Sequence, residues 1–293
     1  MSLEINSMLD YDMETSAAVL NRGFEGYFVK LEFSPTSLAN MVAQDGIRIA
    51  DSRIVRRGDR NVAIALIARR GWSSRLAGMA VTPEARGTGI GGRLTAVLLE
   101  ESRARGERRM ELEVIVENAT AVRLYERNGF ATIRRLVSFA LSPTGDAGRE
   151  AHRAGGGAVE AGGKSRGAGL EEVDVLEVAR RVTRYGLPDL PWQVSGETVA
   201  HLGPPHRAHR LDAAYAVVTD PTAATVMIRS LVVEPAGREK GRASALLRAL
   251  IAEYPGKEWR VPALCPEEMG GVFESVGFMR EKLAQFHMVN SWK

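Results

Sequence analysis

The feature that most constrains this chain is a repeat. The stretch VTPEARGTGIGGRLT, from Val81, aligns without gaps on VEPAGREKGRASALL, from Val233, so that Pro83 meets Pro235, Arg86 meets Arg238 and Gly89 meets Gly241. Further along, LYERNGF from Leu124 meets VFESVGF from Val272. Two matches in the same order mean a duplicated unit. At 293 residues the chain is long enough for two units, each with its own core. Residues 143–169 separate them as a polar, glycine-rich stretch without hydrophobic periodicity, which reads as a linker or mobile loop. The expected division is one domain over residues 1–142, the linker, and a second domain over residues 170–293.

Within the first copy, MLDYDMETSAAVLNRGF has helical spacing, and RIADSRIVRRGDRNVAIALIARR holds two strands joined at Gly58 and Asp59. RLAGMAV is a further strand. After the glycine-rich segment, Ile90, Leu94, Val97 and Leu98 recur at helical spacing, and Met110, Leu112, Val114 and Val116 then alternate as a strand. A second helix follows, with Asn118 as cap and Gly129 as left-handed stop. Strand, glycine loop, helix, strand, helix is a mixed α/β arrangement, here in tandem.

Composition excludes several classes. No apolar run approaches the ~18 residues of a membrane span. The amino terminus, MSLEINSMLD, lacks a basic segment followed by an apolar one, so a cytoplasmic location is expected. A single cysteine, Cys265, rules out an internal disulfide or a multi-cysteine metal site, and is expected as a small buried hydrophobe. His201, His206 and His209 lie in a proline-broken stretch without carboxylates and are expected at the surface, with no metal. The net charge of +3 comes from arginines interspersed with glutamates, which argues against dedicated nucleic-acid binding. A small positive excess suits a phosphate-bearing ligand. Nothing in the sequence sets an oligomeric state.

The loop from Arg86 to Gly92 leads from a strand into a helix. Such a turn presents unpaired N–H groups and the positive end of the helix dipole, which together bind phosphate. Three phosphate loops compete. The nucleoside-triphosphatase loop needs Lys followed by Ser or Thr, where Arg93 and Leu94 stand. A dinucleotide fingerprint matches at Gly87, Gly89 and Gly92, but it belongs in the first strand–helix unit of its domain, and this loop comes later.

The third is an acetyl-CoA loop. ARGTGIGG resembles the R/Q-x-x-G-x-G/A signature of the GNAT N-acetyltransferase superfamily, with Arg86, Gly89 and Gly91 in the diagnostic places. NATAVRLYERNGF, from Asn118, resembles that family's second motif. The resemblance implies acetyl transfer from acetyl-CoA to a primary amine by direct attack in a ternary complex, in a fold whose strand ending at Val81 splays from the strand carrying Val116. It places the cofactor against the backbone of Met79, Ala80 and Val81, the loop residues Arg86, Gly87, Thr88, Gly89, Ile90, Gly91 and Gly92, and Asn118. It makes Tyr125 the proton donor to the departing thiolate. Tyr27 and Phe28 are expected to face the acceptor.

The strand RLAGMAV carries no carboxylate, unlike family members that keep a glutamate there. Glu111 and Glu113 alternate onto one strand face and read as a solvated surface, while Glu117, at the strand's end, is the candidate general base, with a water chain as its rival. In the second copy Gly87 has become Glu239, Gly92 has become Ser244 and Tyr125 has become Phe273, so that copy reads as degenerate. Trp192, between prolines, suits an interdomain contact. The remaining functional readings are a non-catalytic acetyl-CoA-binding module and a dinucleotide oxidoreductase.

Overall fold

The structure, a computed structural model, describes residues 3–143 and 169–292. Its contacts divide the chain into two compact units, Met1–Arg135 with Gln285–Lys293, and Leu136–Ala284. This differs from a division into 1–142 and 170–293, because each unit takes its final strand from the other stretch of chain. Nearly all of the expected linker lies outside the described residues.

The first unit contains β1 (Leu3–Ser7), α1 (Met13–Gly23), α2 (Pro35–Asp45), β2 (Arg53–Arg57), β3 (Arg60–Arg70), β4 (Ser73–Val81), α3 (Ile90–Ala104), β5 (Arg109–Ile115) and α4 (Ala119–Arg127). β1 to β4 pair antiparallel in sequence order, and β5 joins β4 in parallel. The far edge of β5 is completed by residues 285–291 of β12 (Met279–Ser291), antiparallel from Ile115↔Gln285 to Arg109↔Ser291. A parallel neighbour on one side and an antiparallel one on the other make the sheet mixed, as expected.

Caps explain where the helices begin. Asp12 accepts from the Thr15 N–H ahead of α1, and Asn118 accepts from the Ala121 N–H ahead of α4. α2 was not anticipated from hydrophobic spacing, yet its start is written in the chain: Ser34 and Ser37 form a reciprocal capping box around Pro35, and Gly46 closes the helix at φ +70°. On one face of the sheet Met110, Leu112 and Val114 pack with Leu94, Leu98 and Tyr125 into the unit's main core.

The opposite face of β5 departs from expectation. Glu111 is buried and the Glu113 side chain is only 3% exposed, so neither carboxylate is solvated. Arg75 of β4, 4% exposed, holds Glu113 at 2.8 Å and Asp45 of α2 at 3.2 Å. His287 of β12 is fully buried with Nε2 3.8 Å from the Glu111 carboxylate. Burial opposes the charge on Arg75, but Glu113 and Asp45 outweigh it and hold its pKa above the ordinary value. Alternation fixed which residues share a face; a helix and a strand distant in sequence decided that this face is covered.

The second unit repeats the plan. Its order is β6 (Ala131–Leu141), β7 (Glu171–Val173), α5 (Val175–Tyr185), α6 (Gly196–Val199), β8 (Arg207–Leu211), β9 (Ala214–Val218), β10 (Thr225–Val233), α7 (Arg242–Glu253), β11 (Glu258–Pro266) and α8 (Gly270–Glu274), with residues 279–284 of β12. The segment 136–141 of β6 pairs with β11. Trp192 is buried in this unit, and its carbonyl accepts from the Ser195 and Thr198 hydroxyls. His209 corrects the surface reading of the histidines: it lies on β8, 3% exposed, with the Tyr254 hydroxyl 3.0 Å from Nε2. Burial pushes its pKa down. His201 is exposed, as expected.

Candidate functional site

The site is built where two parallel strands part. β4 and β5 pair only at Ser73↔Arg109, Ser74↔Met110 and Arg75↔Glu111. Immediately beyond, the β3/β4 register shifts between Leu66↔Gly78 and Ile67↔Leu76, which leaves Ala77 as a bulge. A bulge bends and twists its strand, so β4 leaves β5 and runs on through Met79, Ala80 and Val81 with its β5-facing edge turned into the opening. Ala80 is buried, and Met79 and Val81 are half-buried.

Two close contacts hold that edge. A Cβ on Gly23, the last residue of α1, would stand 2.4 Å from Ala80 Cβ, so the end of α1 lies against the strand with room only for hydrogen. Arg86 then ties α1 to β4: Nε donates to the Val81 carbonyl at 3.1 Å, and Nη2 donates to the carbonyls of Gly23 at 3.0 Å and Glu25 at 2.8 Å. The arginine of the motif thus uses these donors on the chain itself. Arg238 in the second unit reaches the Val233 and Tyr185 carbonyls in the same way.

The loop follows. Gly87 at φ +73° and Gly89 at φ +82° occupy the left-handed region, and a Cβ placed on either would meet nothing within 4 Å. Gly89 caps α3 without a side-chain hydrogen bond, so the first-turn N–H groups of Ile90, Gly91 and Gly92 have no acceptor within the helix. A Cβ on Gly91 would come 3.4 Å from Leu124, and one on Gly92 3.6 Å, so small residues here let α3 seat on α4. Thr88 closes the loop by donating to the Ala85 carbonyl at 2.7 Å, and Arg57 donates to its hydroxyl at 2.9 Å. Arg57 was not foreseen; only the fold brings β2 to the loop.

Across the opening, Tyr27, Asn118 and Tyr125 gather. Burial raises the pKa of Tyr27, and a hydrogen bond to Asn118 partly offsets it. Tyr125 is buried, packs edge-on against Phe130 at 5.7 Å, and is pushed well above its ordinary pKa by burial and by Tyr27. Phe28 is exposed, 5.5 Å from Tyr27 in a T-shaped pair. Glu117 is exposed, two residues beyond the end of β5. The structure therefore brings Tyr27 to Tyr125 and Asn118, and leaves Phe28 and Glu117 at the rim. Among the described residues no group of three or more His, Cys, Asp or Glu side chains could hold a metal ion, and no helix is long and apolar enough to cross a membrane.

Splayed parallel strands, a strand bulge and a glycine-initiated helix recur in the second unit, where β10 and β11 pair only over Thr225–Met227 and Glu258–Arg260, Arg229 bulges β10 and Gly241 begins α7, and together they define a tandem GNAT-type fold. Residues 28–130 of the first unit match the model of the Acetyltransferase (GNAT) family. The crystal structure of a GCN5-related N-acetyltransferase from Sphaerobacter thermophilus superposes with a TM-score of 0.67 at 14% identity, covering 99% of this chain and 95% of its own. A tandem GNAT protein from the clavulanic acid biosynthesis pathway gives 0.64 at 17% identity, covering 99% and 98%. N-alpha-acetyltransferase 30 of Schizosaccharomyces pombe is 38% identical over 69 residues, 24% of this chain. The match spans 46%, about half, of that relative's length.

Proposed function

We propose that the first unit transfers the acetyl group of acetyl-CoA to a primary amine. One observation carries the reading: β4 parts from β5 at Arg75 and Glu111, directly ahead of a glycine loop whose helix has no cap of its own. The residues fit the ligand. Two left-handed glycines with open space beside them leave room for a pyrophosphate against the N–H groups of the α3 first turn, and the freed edge of Met79 to Val81 can pair with an amide-bearing chain. Acetyl-CoA would supply the activated thioester.

The chain's own groups do the rest. A backbone N–H at the end of β4 polarises the acyl carbonyl, a contribution of about 3 kcal/mol in comparable oxyanion sites. Tyr125, held neutral through physiological pH, keeps its proton available to the sulfur. Its raised pKa makes complete transfer uphill, so its part is a hydrogen bond that strengthens as thiolate charge develops. Tyr27, itself hydrogen-bonded to Asn118, stands beside that phenol. Glu117, or water at the same rim, accepts the amine proton, and Tyr27 and Phe28 border the acceptor. The S. pombe relative's name points to α-amines as the first acceptors to try.

The experiment is a calorimetric titration of acetyl-CoA into the full chain and into Gly89→Glu, followed by thiol release with a panel of amines. Binding by the parent, with a large loss in Gly89→Glu, supports the reading. Unchanged affinity in Gly89→Glu would place the cofactor elsewhere, and no binding by the parent would reopen the dinucleotide alternative.

A further inference from the structure

At the end of the first unit's sheet opposite the glycine loop, four side chains from distant stretches of chain form a row. Trp72 is the second residue of the two-residue turn that joins β3 to β4 at Arg70↔Ser73, and it is 60% exposed. Its carbonyl accepts from the Arg108 N–H at 2.7 Å, and the Arg108 carbonyl accepts from the Trp292 N–H at 3.0 Å. The three residues therefore sit side by side where β4 and β5 begin and β12 ends. The Arg108 guanidinium lies over the Trp72 ring, 4.9 Å from its centre, and that of Arg103, in the last turn of α3, lies over the half-buried Trp292 ring at 5.0 Å. The length of β4 separates this row from the glycine loop by roughly 25 Å, since a strand rises about 3.3 Å per residue.

The two stacked arginines are uncommitted. Around them Arg69 holds Asp51 and Glu107, Arg105 holds Glu101 and Glu107, and Arg109 holds Glu111. Arg103 and Arg108 are exposed, and among the described residues neither meets a carboxylate. Glu100, one turn before Arg103, is exposed and holds no cation, so the net field here is small and binding has to come from contact. A guanidinium stacked on an indole keeps its N–H donors in its own plane, aimed outward from the edge. Each pair thus offers a flat face for stacking and, beside it, a fork for an anion.

We propose that this row binds single-stranded nucleic acid, with bases stacked on Trp72 and on the Arg103 and Arg108 planes and with phosphates at the guanidinium edges. An unpaired nucleotide chain presents flat bases and phosphates in alternation, and aromatic rings and arginine planes are what such bases stack on. A lipid surface would bury the indoles, whereas here one face of each ring carries a cation. An acidic peptide would use the cations and leave the rings idle. The chain's balanced charge excludes a broad electrostatic footprint, not a local platform of a few nucleotides. The site is separate from the candidate acetyl-CoA loop, and its occupancy does not depend on what that loop does.

The experiment titrates the full chain into a fluorescein-labelled oligouridine of about twelve residues and follows anisotropy from about 50 to 200 mM salt. An abasic chain of the same length, polyglutamate and phosphatidylserine vesicles are run beside it. Losing one stacked base costs about tenfold, so Trp72→Ala should weaken binding about tenfold, and the abasic chain should bind the parent at least that much more weakly. With two phosphate forks the slope of log affinity against log salt should be about −1.4, and Arg108→Ala should bring it to about −0.7. Gly89→Glu and saturating acetyl-CoA should leave oligouridine binding unchanged, because the loop lies at the other end of β4. The proposal is overturned if the parent does not bind the oligouridine, if the abasic chain binds as tightly, or if Trp72→Ala, folded by circular dichroism, binds as the parent does. It is equally overturned if Arg108→Ala leaves the slope unchanged, or if Gly89→Glu abolishes binding and so places the RNA on the loop. Displacement of the RNA by polyglutamate would assign the row to an acidic protein segment instead, and binding to vesicles without binding to RNA would assign it to a membrane.

Discussion

Gly23→Ala isolates the contact between α1 and β4 because two effects predict opposite signs. Helix propensity alone favours alanine over glycine by up to about 1 kcal/mol. Packing opposes it: the new Cβ would lie 2.4 Å from Ala80 Cβ, with the Ala80 backbone carbon at 3.1 Å and Cα at 3.2 Å. Ordinary carbon contacts lie at about 3.5–4 Å, so the overlap is roughly 1 Å against a buried strand. Overpacking of that kind costs about 1–3 kcal/mol, and β4 must shift to relieve it. In a domain of this size a loss of about 2 kcal/mol lowers Tm by about 4–8 °C. Acetyl-CoA affinity should fall with it, since the displaced edge is the one proposed to hold the ligand. Adding Ala80→Gly removes the nearest contact and should restore most of both losses. The assay is differential scanning calorimetry beside an acetyl-CoA titration. A single variant that melts at or above the parent's temperature and binds normally would refute the steric reasoning and show that helix propensity outweighs the overlap.

Three further outcomes are expected. Arg75→Met removes the buried guanidinium that holds Glu113 at 2.8 Å and Asp45 at 3.2 Å, so urea denaturation at pH 7 should show a loss of about 3–5 kcal/mol. Tyr125→Phe should keep acetyl-CoA affinity while turnover in a thiol-release assay falls by about a hundredfold or more; equal turnover would remove Tyr125 from the chemistry. Alkylation of Cys265 should rise about tenfold per pH unit from pH 7 to 10 without a plateau, as expected for a thiol held near 12; saturation near pH 8.5 would mean the thiol is not desolvated.

Much of the first unit was legible because its signals are local. The turn at Gly58, the cap at Asn118, the stop at Gly129 and the left-handed glycines of the loop each concern neighbours along the chain, and each stands where expected. α2 was equally local, in Ser34, Pro35 and Ser37, but its weak apolar stripe hid it from a search by periodicity. What could not be read involves distant partners. Nothing near Glu111 and Glu113 announces that Arg75, Asp45 and His287 will bury them. Nothing near Arg86 says that its guanidinium will meet the carbonyls of Gly23 and Glu25. The same holds for the final strands, whose alternating patterns suit either sheet, so the assignment of residues 285–291 to the first unit is a tertiary fact.

That assignment has a temporal side. Proteins leave the ribosome amino terminus first, and a unit built from contiguous chain can settle while synthesis continues. Here β5 keeps a bare edge until residues 285–291 have been translated, so the first unit waits through the synthesis of the whole second one. During that interval a nascent chain carries an open template for stray strands, and the buried face of Glu111 and Glu113 lacks the strand that brings His287. Slowing translation past residue 141 should therefore raise misassembly rather than relieve it, the reverse of what an ordinary two-domain chain would do.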